Sequence, residues 1–416
     1  MKVAFVSQPF DTVLPPFQNS IGIWTYQVAS RLTRSCEVIV YTKSRFRWRS
    51  ASIDGVEYRF IPIDLERWSL ESLRKLPGPP NARRPLFASR LYYLGYALRV
   101  ASDLRREQCD LVHIYNFSQF VPVIRAFNPQ VKIVLHMQCE WLTQLDRAMI
   151  EKRLREVDLV IGCSRYITEK IRRSFPEYVG RCQTIFNGVD PDLFHRANRH
   201  GAIEKDSANR LLFVGRVSPE KGVHVLLDAF HQVIQRFPHA EIEIVGPQRA
   251  APMEFIIALS DDPKVAALAS FYSKSYMSSL KEQASGDLRS RTRFTGFVVH
   301  TELVTHYHDA DVFIFPSVWS EPFGMPIVEA MASGVPVIAT RAGGIPEILE
   351  DGKSGLLVEP GDAAGLAEAV QNLLSRGDMR RSIGGAGRQR ARELFTWDRV
   401  AGDLLRQYRT LDGIDR

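Results

Sequence analysis

Short, unbroken apolar runs recur along this chain, separated by stretches with helical spacing. Val3–Val6, Val38–Tyr41, Leu111–Ile114, Ile133–Leu135 and Leu159–Ile161 read as strands in the first half. Leu211–Val214, Ile242–Val245, Val312–Phe315 and Val337–Ala339 do the same in the second. Helical patterns such as Ile23–Leu32 and Val223–Phe237 lie between them. A continuous apolar run suits a strand covered on both faces, where alternation would suit one covered on a single face. Strands of this kind alternating with helices predict a parallel sheet with helices on both sides. The pattern occurs twice, so the expected fold class is α/β, with two doubly wound, Rossmann-like domains.

The break falls near 187–209. Asn187-Gly188 is a turn signal, and the polar, aperiodic stretch from Arg196 to Asn209 precedes the clean strand RLLFVG. The expected domains are 1–195 and 208–395, followed by a helical stretch at Trp397–Leu411. Residues 83–106 form a basic helical pattern, with Phe87, Leu91, Leu94, Leu98 and Val100 available for an apolar face. Such a face packs on the core or meets a membrane or lipid surface. Residues 247–290 are irregular and read as inserted helices without assigned chemistry.

Composition narrows the class. The 416 residues are 45% hydrophobic and 24% charged, ordinary for a globular protein of two domains. No apolar run reaches the roughly 18 residues of a membrane span. Residues 1–200 hold 30 Lys+Arg against 19 Asp+Glu, net +11, and the remainder holds 24 against 28, net −4. A basic first half suits an anionic partner or a solvated Arg-rich surface. The five cysteines, Cys36, Cys109, Cys139, Cys163 and Cys182, are odd in number and form no C-x-x-C pair. That fits a reduced, cytoplasmic protein.

Three segments carry candidate chemistry. In LFVGRVSPEKGVHVLL a strand ends at Val214, Gly215 allows a tight turn, and Arg216 and Lys221 precede a helix. Cations beside a helix N-terminus, at the carboxyl end of a parallel strand, suit a diphosphate. WSEPFGMPIVEAMASG follows the strand VFIFP. Its Pro322-Phe323-Gly324 loop can face amides to an anion, Pro326 suits a first helical turn, and Glu321 and Glu329 flank the loop. As ionised carboxylates the two are strong acceptors for hydroxyl groups, and Glu329 also suits the dipole of its helix. In VIATRAGGIPEILEDGKSGLLVEPGD the glycines read first as loop geometry.

Together these residues resemble the retaining glycosyltransferases of family 4, which have the GT-B fold. The resemblance spans nearly the whole chain through VGRVSPEKG, the Glu-x7-Glu segment, RAGGIPEIL, GLLVEPGD, NGVDPDLF and FTWDRVAGDLLRQY. It implies two domains facing across a cleft. The first binds acceptor, the second binds nucleotide-sugar donor, and the terminal helix 397–416 packs back on the first. It also implies roles. Arg216 and Lys221 hold the donor diphosphate, and Glu321 binds hydroxyls of the sugar. The amides of Phe323, Gly324 and Met325 lie near it, with Gly215 and Pro326 shaping the site. Glu329 binds the ribose and Val298 lies near the base. His136 stands beside the reacting sugar. His113, Asn19 and Ser20 fall on the acceptor side, and Gly22 lets backbone approach the phosphates. The family's GG-x-G loop reads Asn19-Ser20-Ile21-Gly22 here, and the GxG that often follows IVG is absent from IVGPQ.

The donor implied is a UDP-sugar, with GDP-sugar the alternative. The acceptor implied is a saccharide, a glycolipid or a sugar phosphate. No cofactor is required. Asp190-Pro-Asp192 and Asp309-Ala-Asp311 read D-x-D but are expected to hold no metal. Peripheral contact at the inner membrane face fits the basic half. Nucleic acid is not expected, since no stacking or helix-turn-helix signature accompanies the charge. The rival readings are a GT-B epimerase, a phosphorylase and a silent nucleotide-sugar-binding module.

Overall fold

The computed structural model describes residues 1–44, 47–73, 81–195, 210–273 and 275–413. The polar stretch 196–209 and the last three residues of the expected terminal helix lie outside them. The chain divides into two compact units, residues 1–187 with 397–416 and residues 188–396. Gly188–His195 therefore goes with the second unit, where the sequence reading ran the first domain on to residue 195.

The first unit holds eight strands: β1 (Lys2–Val6), β2 (Glu37–Ser44), β3 (Arg49–Ile53), β4 (Val56–Pro62), β5 (Leu111–Tyr115), β6 (Lys132–Met137), β7 (Leu159–Gly162) and β8 (Cys182–Thr184). Their order is β3-β4-β2-β1-β5-β6-β7-β8. All pairings are parallel except the β3–β4 hairpin, which the sequence reading missed. β3 reads RSASI, with no apolar run to mark it, and it forms because the Asp54-Gly55 turn folds it back on β4. Val3, Ala4, Phe5 and Val6 of the central β1 are at most 1% exposed, as a strand covered on both faces requires. The helix Trp397–Asp412 packs on the helix Ser20–Leu32 within this unit, burying Trp397, Leu404 and Tyr408.

The basic stretch 83–106 differs from its expectation. After a single 3-10 turn at Leu86–Ala88, the α-helix runs only over Leu94–Glu107, and it buries Tyr96, Ala97, Val100, Ala101, Asp103 and Leu104. Leu91 precedes it and is 67% exposed. Tyr93, at φ 55°, ends the preceding turn and resets the helical phase.

The second unit holds β9 (Arg210–Val214), β10 (Glu241–Val245), β11 (Thr292–Gly296), β12 (Val312–Phe315), β13 (Val337–Thr340) and β14 (Leu356–Val358), all parallel. Their order is β11-β10-β9-β12-β13-β14. The chain builds outward from β9 on one side, then returns to β12 and builds outward on the other. Connections diverge between β9 and β12, and such a switch point opens a crevice beyond the strands' carboxyl ends. Residues 247–273 and 275–290 include several short helices, of which Tyr276–Gln283 packs on the helix Val223–Arg236. Among the described residues no helix is long and apolar enough to cross a membrane.

Candidate functional site

The candidate residues of the second unit meet at that switch point. After β9 the chain turns through Gly215 and Arg216 into the single turn Pro219–Lys221, and Gly222 opens the helix Val223–Arg236. Gly222 has φ 74°, and a Cβ there would lie 1.9 Å from the carbonyl oxygen of Pro316. The turn after β9 thus presses on the exit from β12. That exit leads to the helix Met325–Ala332, whose N-cap Gly324 sits at φ 108°. Both N-cap residues are glycines and offer no side-chain cap, and although the Tyr276 hydroxyl accepts from His224 N at 3.1 Å, the positive dipole end remains at both N-termini.

Each cation of the site has a carboxylate partner. Lys221 Nζ lies 2.5 Å from Glu321 Oε2, and Trp319 Nε1 donates to the same oxygen at 3.0 Å. The ammonium also faces the Trp319 and Phe315 rings, 5.4 and 5.5 Å from their centroids. Arg216 donates to Glu220 at 2.7 Å and to the Ser218 hydroxyl at 3.2 Å, and that hydroxyl donates to Glu220 at 2.6 Å. Glu220 is fully buried. Burial alone would push its carboxyl up, but the charges of Arg216 and Lys221 with the hydrogen bonds from Ser218 and Arg216 outweigh it. The net effect holds Glu220 below the usual carboxylate range.

Glu329 projects from the helix Met325–Ala332 and is buried. One oxygen meets His300 Nε2 at 2.9 Å, and the other accepts from the Tyr307 hydroxyl at 2.8 Å. Burial lowers the His300 pKa, but the charge of Glu329 and its hydrogen bond more than reverse this, so it ends above the usual histidine value. Val298 lies two residues before His300 in the loop after β11. Gly343 meets Glu321 directly. It has φ 59°, a Cβ there would lie 2.2 Å from the Glu321 carbonyl oxygen, and Gly344 N donates to that oxygen at 2.7 Å. The glycine pair first read as loop geometry is the seat of Glu321.

Sequence reasoning missed Glu220, Trp319, His300, Tyr307 and Tyr272. Glu220 lies four residues after Arg216 in the segment already singled out, and Trp319 two before Glu321. Tyr272 gave no signal, since it lies in the inserted segment. Its hydroxyl is buried without a hydrogen-bond partner. Burial first, then the nearby Glu220 charge, raises its pKa to about 12, with Arg216 opposing.

The first-unit candidates occupy a different environment. Asn19 caps the helix Ser20–Leu32 by accepting from Gly22 N at 2.9 Å, and its amide donates to buried Asp11 at 2.7 Å. Burial raises the Asp11 carboxyl to about 6. A Cβ on Gly22 would lie 1.8 Å from the Thr12 carbonyl oxygen, so the glycine serves the loop's own packing. Ser20 is exposed. His136, expected beside a sugar, is buried with both ring nitrogens engaged. Nδ1 lies 3.1 Å from His113 Nε2 and Nε2 lies 3.0 Å from Gln138 Nε2. Gln138 also exchanges two hydrogen bonds with Asn187. With the Gln138 amide donating, each histidine carries its proton on Nδ1, and His113 donates to the Tyr408 hydroxyl at 2.7 Å. Burial lowers His136 to about 3 and His113 well below its usual value, so both are neutral at pH 7.

The D-x-D pairs are engaged locally. Asp190 accepts from the backbone of Asp192 and Leu193, and Asp311 accepts from Arg210 N. Among the described residues no group of three His, Cys, Asp or Glu is arranged to hold a metal ion.

Residues 196–390 match the family described as Glycosyl transferases group 1, and residues 21–193 match Glycosyltransferase Family 4. Spore coat protein SA of Bacillus subtilis is 27% identical over 98% of this chain and 99% of its own length. Among solved structures, sucrose-phosphate synthase from Thermosynechococcus elongatus superposes with a TM-score of 0.76 at 21% identity, covering 100% of both chains. HepE from Anabaena, solved with UDP, gives 0.68 at 20% identity, covering 99% of this chain and 100% of its own.

Proposed function

We propose, for a chain that belongs to the group 1 glycosyltransferases of family 4 and is an enzyme of that class, that it moves a sugar from a nucleoside-diphosphate donor to an acceptor hydroxyl with retention of configuration. The observation that carries this reading is the pairing of two cations with buried carboxylates at the β9–β12 switch point, beside two helix N-termini with glycine at the N-cap. A diphosphate suits such a place. The donor is a UDP-sugar in this reading, which the UDP bound by the HepE neighbour supports. The acceptor is a saccharide, a glycolipid or a sugar phosphate.

Arg216 and Lys221 neutralise the departing diphosphate. Glu321 holds hydroxyls of the sugar, with the Phe323, Gly324 and Met325 backbone beside it. Glu329 holds the ribose, and Val298 lines the base. Glu329 is held by His300 and Tyr307, and Glu321 by Lys221, so in this reading the donor's hydroxyls and diphosphate join or displace these partners. His136, neutral and bonded to Gln138, acts as a positioning residue of the first unit. As the sugar–phosphate bond weakens, the acceptor hydroxyl attacks from the same face. The leaving phosphate oxygen takes its proton, so no protein base enters the step, and in this reading Arg216 and Lys221 neutralise the diphosphate in place of a metal ion.

A donor screen in EDTA, reading release of UDP or GDP with and without acceptors, tests this. Donor turnover that survives EDTA and falls in Lys221→Ala supports it. Absence of turnover with every UDP- and GDP-sugar, or a strict divalent-ion requirement, contradicts it.

A further inference from the structure

A cavity of about 760 Å³ in the first unit lies beyond the carboxyl ends of β1, β2 and β4. That is the edge where open parallel sheets bind ligands. Lys43, Arg47, Arg49 and Arg67 line it, and Asp64 is its one lining carboxylate. Arg67 is already taken, 2.9 Å from Asp64. Among the described residues Lys43, Arg47 and Arg49 form no ion pair within 4.0 Å. Lys43 donates to the Phe10 carbonyl oxygen, and Arg49 lies over the Phe60 ring.

Several cations elsewhere in this unit are matched by carboxylates. Arg59 meets Glu57, Asp103 and Glu107, and Lys170 meets Glu140. Gathering uncompensated like charges around one cavity is unfavourable unless an anion completes it. Burial and the neighbouring Arg67 both weigh against the charge on Lys43, with only Asp11 favouring it. Phe10, 40% exposed, and Ile63 add apolar wall. Tyr93, held at φ 55°, closes the rim, and strained backbone of this kind gathers at ligand sites.

We propose that this cavity binds a phosphate-bearing group, with Lys43, Arg47 and Arg49 as its charge partners and the Phe10–Ile63 wall against the attached carbon skeleton. Assigning that group to the acceptor rests on the transferase reading above. The binding site itself does not. The same chemistry arrives on a soluble sugar phosphate or on the headgroup of a lipid-linked acceptor.

Calorimetry of the full chain with inorganic phosphate and glucose 6-phosphate, and flotation with phosphatidylcholine vesicles with and without phosphatidic acid, separate these sources. UDP binding is measured on the same preparations. Arg47→Ala with Arg49→Ala removes two exposed side chains, and Lys43→Gln removes the half-buried charge. Saturable binding of the soluble probes, weakened roughly ten-fold or more in either variant with UDP binding unchanged, supports a phosphate site for a soluble acceptor. Binding only to phosphatidic acid vesicles, lost in the variants, supports the same site for a lipid-linked one. Binding to no phosphate probe, or equal binding by wild type and both variants, overturns the proposal. If UDP fails to bind while the phosphate probes succeed, the donor reading falls and the cavity assignment stands.

Discussion

Replacing Glu321 with Gln separates the two things this carboxylate is proposed to do. It neutralises Lys221, and both side chains are nearly buried, 10% and 13% exposed. Unit charges about 4 Å apart attract by about 4 kcal/mol at an effective dielectric near 20. Breaking a fully buried pair costs about 3–5 kcal/mol and a surface pair about 0–1. This pair, at the rim of a binding site, falls between them at about 2 kcal/mol, a melting temperature about 4–8 °C lower for a domain of about 200 residues. The same change frees Lys221. A diphosphate no longer competes with Glu321 for the ammonium, and regaining about 1.4 kcal/mol of that attraction tightens UDP about ten-fold. Sugar transfer moves the other way. Two charge-assisted hydrogen bonds to sugar hydroxyls weaken, and at about 1.5–3 kcal/mol each even partial loss lowers turnover about 10²-fold. Calorimetry with UDP, thermal melts and a UDP-release assay read the three effects. Weaker UDP binding in Glu321→Gln would refute the idea that Glu321 and the diphosphate compete for Lys221.

Three further outcomes follow from the geometry. Tyr272→Phe deletes a buried hydroxyl without a partner, so the ligand-free protein keeps or gains up to about 1 kcal/mol of stability; UDP binds about 3-fold to 10-fold more weakly if that hydroxyl serves the diphosphate, and unchanged UDP affinity by calorimetry excludes the role. Gly343→Ala places a Cβ 2.2 Å from the Glu321 carbonyl at φ 59°, so it costs about 3 kcal/mol in thermal or urea unfolding and abolishes transfer; a normally active variant contradicts the packing of Gly343 on Glu321. His300 has a folded pKa above its unfolded value of 6.5, so its pairing with Glu329 stabilises fully below that value and fades as pH rises through the folded pKa. The stability gap between wild type and His300→Ala, followed by melts, is therefore widest near about pH 6 and narrows toward about pH 9; a gap that widens with pH reverses the sign and refutes the pairing.

Much of the framework was legible because buried parallel strands write themselves as unbroken apolar runs. β1, β5, β9 and β12 were all marked this way. β3 was not, because an edge strand reading RSASI buries little and depends on its turn. The helix phase in 83–106 was misjudged because Tyr93 adopts a left-handed backbone that no spacing rule announces. In the site, Arg216, Lys221, Glu321 and Glu329 stood out by residue type at strand ends. Their partners did not. His300, Tyr307 and Trp319 reach them by folding, and a lone His or Tyr in sequence says nothing of the carboxylate it will meet. The His113–His136 contact was hidden for the same reason. His113 and His136 lie on paired strands, and their shared burial decides their charge.

The central claim is that the β9–β12 switch point binds a nucleoside diphosphate through Arg216 and Lys221. Calorimetric titration of the full chain with UDP and GDP in EDTA, on wild type, Arg216→Ala and Lys221→Ala, tests it most directly. The account predicts saturable binding of one nucleotide to the wild type, weakened about ten-fold or more in each variant by loss of a charge-assisted contact. Binding that is absent from the wild type, or equal in all three proteins, contradicts it.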